Sequence, residues 1–280
     1  MHTPTPQSSS FAVGDITVKT LSDGHLDIPA AYFSNISETE LQLVSPSARF
    51  GANCWLIETG TRKILVDAGS GDWLKARFPD TGHVTDAGTA LISASSEITD
   101  IILTHMHADH IGGLISNGQC LFPNAKLHLQ ESEWTFWTDE NLLNSVEEDQ
   151  RPIVELIQSL ARPMSSQVEL HTGDSDLGEG IQLAFAPGHT PGHQIVQVAS
   201  RDKQAFLLGD ALVSGALQFA NPEVHYALDS APETAAQTRK TLFEKLAADQ
   251  TPFAATHLDT TSFGVLQARV GGGYSFEPIT

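Results

Sequence analysis

Thr104-His105-Met106-His107-Ala108-Asp109-His110, directly after the apolar run Ile101-Ile102-Leu103, decides the reading of this chain. The apolar run predicts a buried strand, and three imidazoles and a carboxylate at its end would be badly desolvated unless something satisfies them. Neutral imidazole nitrogen and carboxylate oxygen are ordinary zinc or iron ligands, and a loop leaving a strand can turn all four inward. The spacing differs from the helical zinc motif in which two histidines sit four apart with a glutamate between them. A histidine-rich surface loop is the competing reading. It needs neither this density of ligands nor the Gly112-Gly113 pair that follows, which allows close backbone approach.

Outward from that stretch, several other predicted strands end in polar, ligand-type residues. Residues 53–58 and 63–66 predict a hairpin about Thr59-Gly60-Thr61 that delivers Asp67, either as a turn former or as an acid orienting a metal ligand. Ahead of it, residues 11–21 predict a strand that Ser22-Asp23-Gly24 turns back into a second short one. Residues 38–44 and 84–94 predict helices. Beyond it, a strand at 125–129 leads into a helix from Glu131 that carries Trp134 and Trp137 on one face, and 153–160 is amphipathic. Strands are predicted at 168–171, 181–186, 194–199 and 205–208, a helix at 233–248, and strands at 252–256, 263–268 and 274–276. Two of these strands run into Gly188-His189-Thr190-Pro191-Gly192-His193 and Gly209-Asp210, and a third ends at His257. By position alone His171 and His225 rival His257, while His2, His25, His83 and His128 read as surface or core residues.

The 280 residues are 40% hydrophobic and fit one large domain, with residues 1–10 as a disordered leader and 11–280 as the folded unit. A formal charge of −19 repels phosphate backbones and anionic membranes, so neither nucleic acid nor a membrane is expected as a partner. Cys54 and Cys120 read as small buried apolar residues, since two cysteines make no disulfide framework. The leader has no export-signal pattern, which leaves a cytoplasmic location or, after removal of a signal, a periplasmic or secreted one.

Two strand-rich halves that project ligands from strand ends describe an α+β, four-layer αββα sandwich with the site along one edge. The order His-x-His-x-Asp-His, Gly-His-Thr-Pro-Gly-His, Gly-Asp and a late His resembles the metallo-β-lactamase superfamily, and is most similar to its methyl parathion hydrolase branch. Leu21 to Gly24, Thr104 to Leu114, Phe122 to Ala125, Phe136-Trp137, and Gly209-Asp210 through Val213 to Phe219 carry that resemblance. It implies one metal on His105, His107 and His189, a second on Asp109, His110 and His257, and Asp210 bridging. It also implies two divalent ions, zinc first and manganese, cobalt or iron as alternatives, with Asp109 and Asp210 positioning a bridging hydroxide as nucleophile.

The branch suggests small neutral ester, lactone or phosphotriester substrates, a pocket containing Phe136, Trp137 and Val213, and a homodimer. Neighbouring acyl-homoserine lactonases usually place a tyrosine where Val213 stands, which puts their tyrosine-assisted mechanism in doubt here. His193 is read as packing or as support behind the ligands. Competing classes are a single-iron persulfide dioxygenase, an iron oxidoreductase lacking its flavin domain, a nuclease that the charge disfavours, and an inert metal-stabilised interaction protein.

Overall fold

A computed structural model describes residues 8–84, 95–148 and 150–279. Its first sheet runs in chain order: β1 (Ser8–Val13), β2 (Ile16–Pro29), β3 (Ser47–Glu58), β4 (Lys63–Val66), β5 (Asp100–Ile102), β6 (Lys126–Gln130) and β7 (Val168–His171). The first four are joined antiparallel, and β4 to β7 are parallel. The second sheet is likewise sequential: β8 (Ser175–Gly178), β9 (Ile181–Phe185), β10 (Gln194–Ser200), β11 (Lys203–Leu207), β12 (Phe253–Ala254), β13 (Gly264–Ala268) and β14 (Tyr274–Pro278). Helices are α1 (Glu38–Leu43), α2 (Ala108–Ile111), α3 (Glu131–Thr138), α4 (Leu142–Ser145), α5 (Arg151–Ala161), α6 (Gly215–Gln218) and α7 (Pro232–Asp249).

The layers follow from the period-two alternation of the strands. Ile101, Leu127 and Leu129 face outward with Leu65 and pack under Trp137, Leu142, Ile157 and Leu160 of α3, α4 and α5. Ile102, Ile64 and Val66 face inward, where they meet Leu183, Val196, Val198 and Leu207 of the second sheet. The far side of that sheet, with Ile195, Phe206 and Phe253, is covered by Phe243 and Leu246 of α7. This is the expected four-layer sandwich, helices outside two facing sheets. The strand continuing from β5 supplies Leu103 to the outer layer, and the chain then turns polar at the sheet's end.

Three expectations change. Ser22-Asp23-Gly24 does not reverse the chain: β2 pairs with β3 on both sides of it, with a bulge between Ser22 and His25. The buried Asp23 carboxylate instead accepts hydrogen bonds from the amides of Ser70, Gly82 and Val84, so the aspartate ties down the loop after Gly69. β1 begins at Ser8, and Ser8, Ser9 and Ser10 pair with Leu21, Thr20 and Lys19, so these three serines are strand rather than leader. Within the metal-ligand stretch, residues from Ala108 form one helical turn rather than open loop. The helix expected at 84–94 falls, from residue 85, outside the described residues, as do residues 1–7. Among the described residues no helix is long and apolar enough to cross a membrane. Cys54 is buried, Cys120 half-buried, and both are free.

Candidate metal centre

Five chain segments converge at one edge of the sandwich. The turn after β5 brings His105 and His107, α2 brings Asp109 and His110, and the loop between β9 and β10 brings His189. The segment after β11 brings Asp210, and the turn after β12 brings His257. One ligand atom each from His105, His107, His189 and Asp210 lies within 4.8 Å of the others, and Asp109, His110 and His257 form a second such group. The turn is tight because Gly112-Gly113 passes against Asp67 to Ser70: a Cβ on Gly113 would stand 1.9 Å from the Ala68 carbonyl oxygen.

Asp210 lies between the two groups. Its Oδ2 is 3.2 Å from His189 Nε2 and 3.0 Å from His257 Nε2, and its Oδ1 is 3.3 Å from His110 Nε2. Asp109 Oδ2 lies 3.6 Å from His257 Nε2 and 3.8 Å from His110 Nε2.

The far side of each ring fixes which nitrogen is left free. His110 Nδ1 faces Asp67 Oδ2 at 2.8 Å, His189 Nδ1 faces Asp229 Oδ1 at 2.9 Å, and His257 Nδ1 faces the Gly51 carbonyl at 2.9 Å. With Nδ1–H donating to these acceptors, each Nε2 faces the centre and is the ligand nitrogen once an ion replaces its proton. His107 presents Nδ1 instead, 3.0 Å from His105 Nε2 and 3.1 Å from His189 Nε2.

Protons alone satisfy this arrangement poorly. Three imidazole nitrogens crowd together, and the buried His110 Nε2 and Asp210 Oδ1 have no aligned hydrogen-bond partner despite their proximity. Unpaired buried polar atoms of this kind are costly, and cations in the two groups would satisfy them. The residues therefore fit a metal centre of nitrogen and oxygen donors.

The electrostatics agree. Burial pushes the Asp210 carboxyl up, but the positive charges of His257 and His110 outweigh it and hold it well below the usual carboxylate range. Burial would lower His189, yet its hydrogen bond to Asp210, the Asp210 charge and Asp229 raise it to about 9. His105 and His107 go down, through burial and the neighbouring histidine charges.

Asp67 has φ +54° at a strand end, and its carboxylate faces His110 Nδ1 and accepts from the Thr104 amide and hydroxyl. His193 faces the Ala186 carbonyl through Nδ1 and accepts the Asp210 amide hydrogen at Nε2, 3.0 Å away, so it sets the backbone that carries Asp210. Trp137 is 7% exposed, stands edge-on to His107 at 5.5 Å and donates its indole N–H to Glu133 Oε1, with Phe136 against its ring. Val213 is wholly buried in an apolar cluster with Leu26, Phe50, Leu217 and Val224. His171 is not brought to the centre, and His225 lies in a two-residue strand pairing with Phe33–Ser34.

Sequence reasoning missed three organising acids. Asp229 holds His189 and also accepts the Tyr226 amide, and Tyr226 stacks on His189 at 6.2 Å between centroids. Glu133 is fully buried and accepts from the amides of Met106 and Gly192 as well as from Trp137, which ties both histidine motifs to α3. Asp23 fastens the loop at Ser70. None lies next to a ligand in the sequence, and the burial that marks all three exists only in the folded chain.

A family model described as the metallo-beta-lactamase superfamily matches residues 48–257. The uncharacterized protein YobT of Bacillus subtilis (strain 168) is 29% identical over 192 residues, covering 66% of this chain and 75% of that protein. An N-acyl homoserine lactonase of Bacillus thuringiensis is 25% identical over 171 residues, 55% of this chain and 61% of the lactonase. Among solved structures, the hydrolase AbOPH, of the beta lactamase superfamily, superposes with a TM-score of 0.88 at 24% identity over 98% of both chains. AidC, a dizinc quorum-quenching lactonase in complex with a homoserine product, superposes with a TM-score of 0.86 at 22% identity, covering 98% of this chain and 97% of AidC. At those identities the two structures speak for the fold.

Proposed function

The chain belongs to the metallo-beta-lactamase superfamily, and from that premise we propose that it is a dinuclear metal-dependent hydrolase of small neutral esters, with lactones and phosphotriesters as its leading substrates. The position of Asp210 carries this reading. A buried carboxylate within hydrogen-bond range of histidines from both ligand groups suits a bridge between two cations.

Two divalent ions, zinc the expected pair, would supply an acidified water and Lewis acidity toward the attacked carbonyl or phosphoryl oxygen. His105, His107 and His189 would hold one, Asp109, His110 and His257 the other, and Asp210 both. Asp109 is the less buried carboxylate, so it can accept a hydrogen bond from the attacking water at the substrate side. Trp137 and Phe136 provide an aromatic wall beside His107, and the chain's −19 charge favours an uncharged substrate over an anionic one.

The lactonase reading draws on the relatives that carry that name, and the phosphotriester reading on the Phe136-Trp137 pair. Metal content per chain, with hydrolysis of an acyl-homoserine lactone, a p-nitrophenyl ester and methyl parathion by the parent and by Asp210→Ala, tests the proposal. Two metals and turnover that collapses in the variant support it, and the rank order of rates selects the substrate class. One iron per chain without hydrolysis of any of the three sinks it and favours an oxygenase.

A further inference from the structure

Outside the metal centre, the inner face of the first sheet carries a second cluster of metal-ligating side chains. His128 of β6 and His171 of β7 meet with Nδ1 and Nε2 3.0 Å apart. That is the spacing between His105 Nε2 and His107 Nδ1. The far nitrogen of His128 is held as in the centre, with Nε2–H donating to Asp100 Oδ1 at 2.9 Å. Asp100 is itself fixed by Arg62, through Nη2 at 2.7 Å and Nε at 2.9 Å. The carboxylate thus fixes the tautomer, leaving the His128 Nδ1 lone pair aimed at His171, as Asp67 and Asp229 do for His110 and His189.

Register brings Glu169 to the same face, where its carboxylate pairs with Lys126 Nζ at 3.0 Å. Glu169 pairs with His128 across the sheet, and lies two residues before His171 on the same face of β7. All of these side chains line a cleft of about 610 Å³ that opens between the sheets, with Asp176 of β8 on the other wall. Three carboxylates against the two cations Arg62 and Lys126 leave the cleft one negative charge in excess while its histidines are neutral. Burial lowers the His171 ring's basicity, which favours its neutral, ligand-competent form.

From this geometry we infer that His128 and His171 form a separate, mononuclear binding site for a divalent transition metal of the zinc, nickel and copper class, with water completing the coordination. The ion binds His128 Nδ1 and His171 Nε2, and the proton on His171 Nε2 moves to Nδ1, so the ring stays neutral. Two imidazoles hold an ion less tightly than the three- and four-residue groups of the centre, so the site fills last and exchanges first. Because β7 is the edge strand of its sheet, the ion would clamp that edge to β6. The inference stands apart from the proposed hydrolytic reaction, since none of these residues is a ligand of the centre.

Equilibrium dialysis of the metal-loaded protein against zinc chloride tests it, comparing the parent with His171→Ala and His171→Gln. The glutamine variant can keep a hydrogen bond to His128 Nδ1, so it remains informative if the alanine variant is unstable. The expected result is one more zinc per chain in the parent than in either variant at saturating zinc, with ester hydrolysis unchanged. Equal zinc in all three proteins overturns the site and leaves His128 and His171 as a hydrogen-bonded pair. Extra zinc retained by the glutamine variant overturns the assignment of His171 as a ligand.

Discussion

Removing the Asp229 carboxylate is the sharpest perturbation of the centre that touches no proposed ligand. Its side chain is fully buried, with Oδ1 2.9 Å from His189 Nδ1 and Oδ2 3.1 Å from the Tyr226 amide. It also lies 4.0 Å from the buried Arg239 guanidinium, whose other contacts are the carbonyls of Ala211, Pro222 and Val224. Asp229→Ala leaves the His189 ring free to rotate and to change tautomer. Loss of a carboxylate behind a ligating histidine costs about 10- to 100-fold in metal affinity. That is about 1.4–2.7 kcal/mol.

A separate loss falls on the metal-free fold. Two buried donors lose an acceptor, at about 1–3 kcal/mol each when left unsatisfied. The carbonyls around Arg239 bind its Nε and Nη1, but its Nη2 faces Asp229 at 4.0 Å, so loss of that charge from beside a buried guanidinium adds to the cost. Asp229→Asn retains an oxygen for His189 and loses only the charge, so it should fall between parent and Ala. Zinc affinity by competition with a chromophoric chelator, together with urea unfolding of the metal-free proteins, separates the two effects. A variant with lowered stability but parental zinc affinity would refute the orienting role of Asp229 and leave it a packing residue.

Further outcomes follow from the same geometry. Asp210→Ala should lower turnover by at least about 100-fold and reduce metal content, checked by steady-state kinetics and elemental analysis. Gly113→Ala should destabilise by about 1–3 kcal/mol or more, because its Cβ would meet the Ala68 carbonyl, and thermal unfolding reads this directly. In the metal-free protein His189 is raised from 6.5 to about 9, so its contribution to stability is fully present below pH 6.5 and is lost as pH rises through 9. Urea midpoints across that range should show the decline, and metal loading should abolish it, since a bound ion replaces the proton. Burial works to raise Asp100, yet hydrogen bonds from His128 and Arg62 hold it well below its ordinary 3.8, so its contribution is present above pH 3.8 and fades as pH falls through the lowered value. An Asp100→Asn variant should therefore differ from the parent most above that pH and converge with it in acid.

The ligand types were legible in the sequence because they cluster at the ends of apolar runs. His105, His107, Asp109 and His110 fall within six consecutive residues, and the apolar runs at Ile101-Ile102-Leu103 and Ala205-Phe206-Leu207-Leu208 announce strands buried on both faces. The four layers follow from that patterning, since a strand buried on both sides needs a partner sheet on one face and helices on the other. The sequence could not separate His257 from His171 by position: both end strands, but His171 ends the edge strand β7 and turns to His128, whereas His257 leaves β12 beside Asp210. Only register and sheet order decide that. The same holds for Asp229, Glu133 and Asp23, which act on residues 27 to 61 positions away. A buried carboxylate is stable only where donors from distant segments converge on it, and that convergence exists in the folded chain alone.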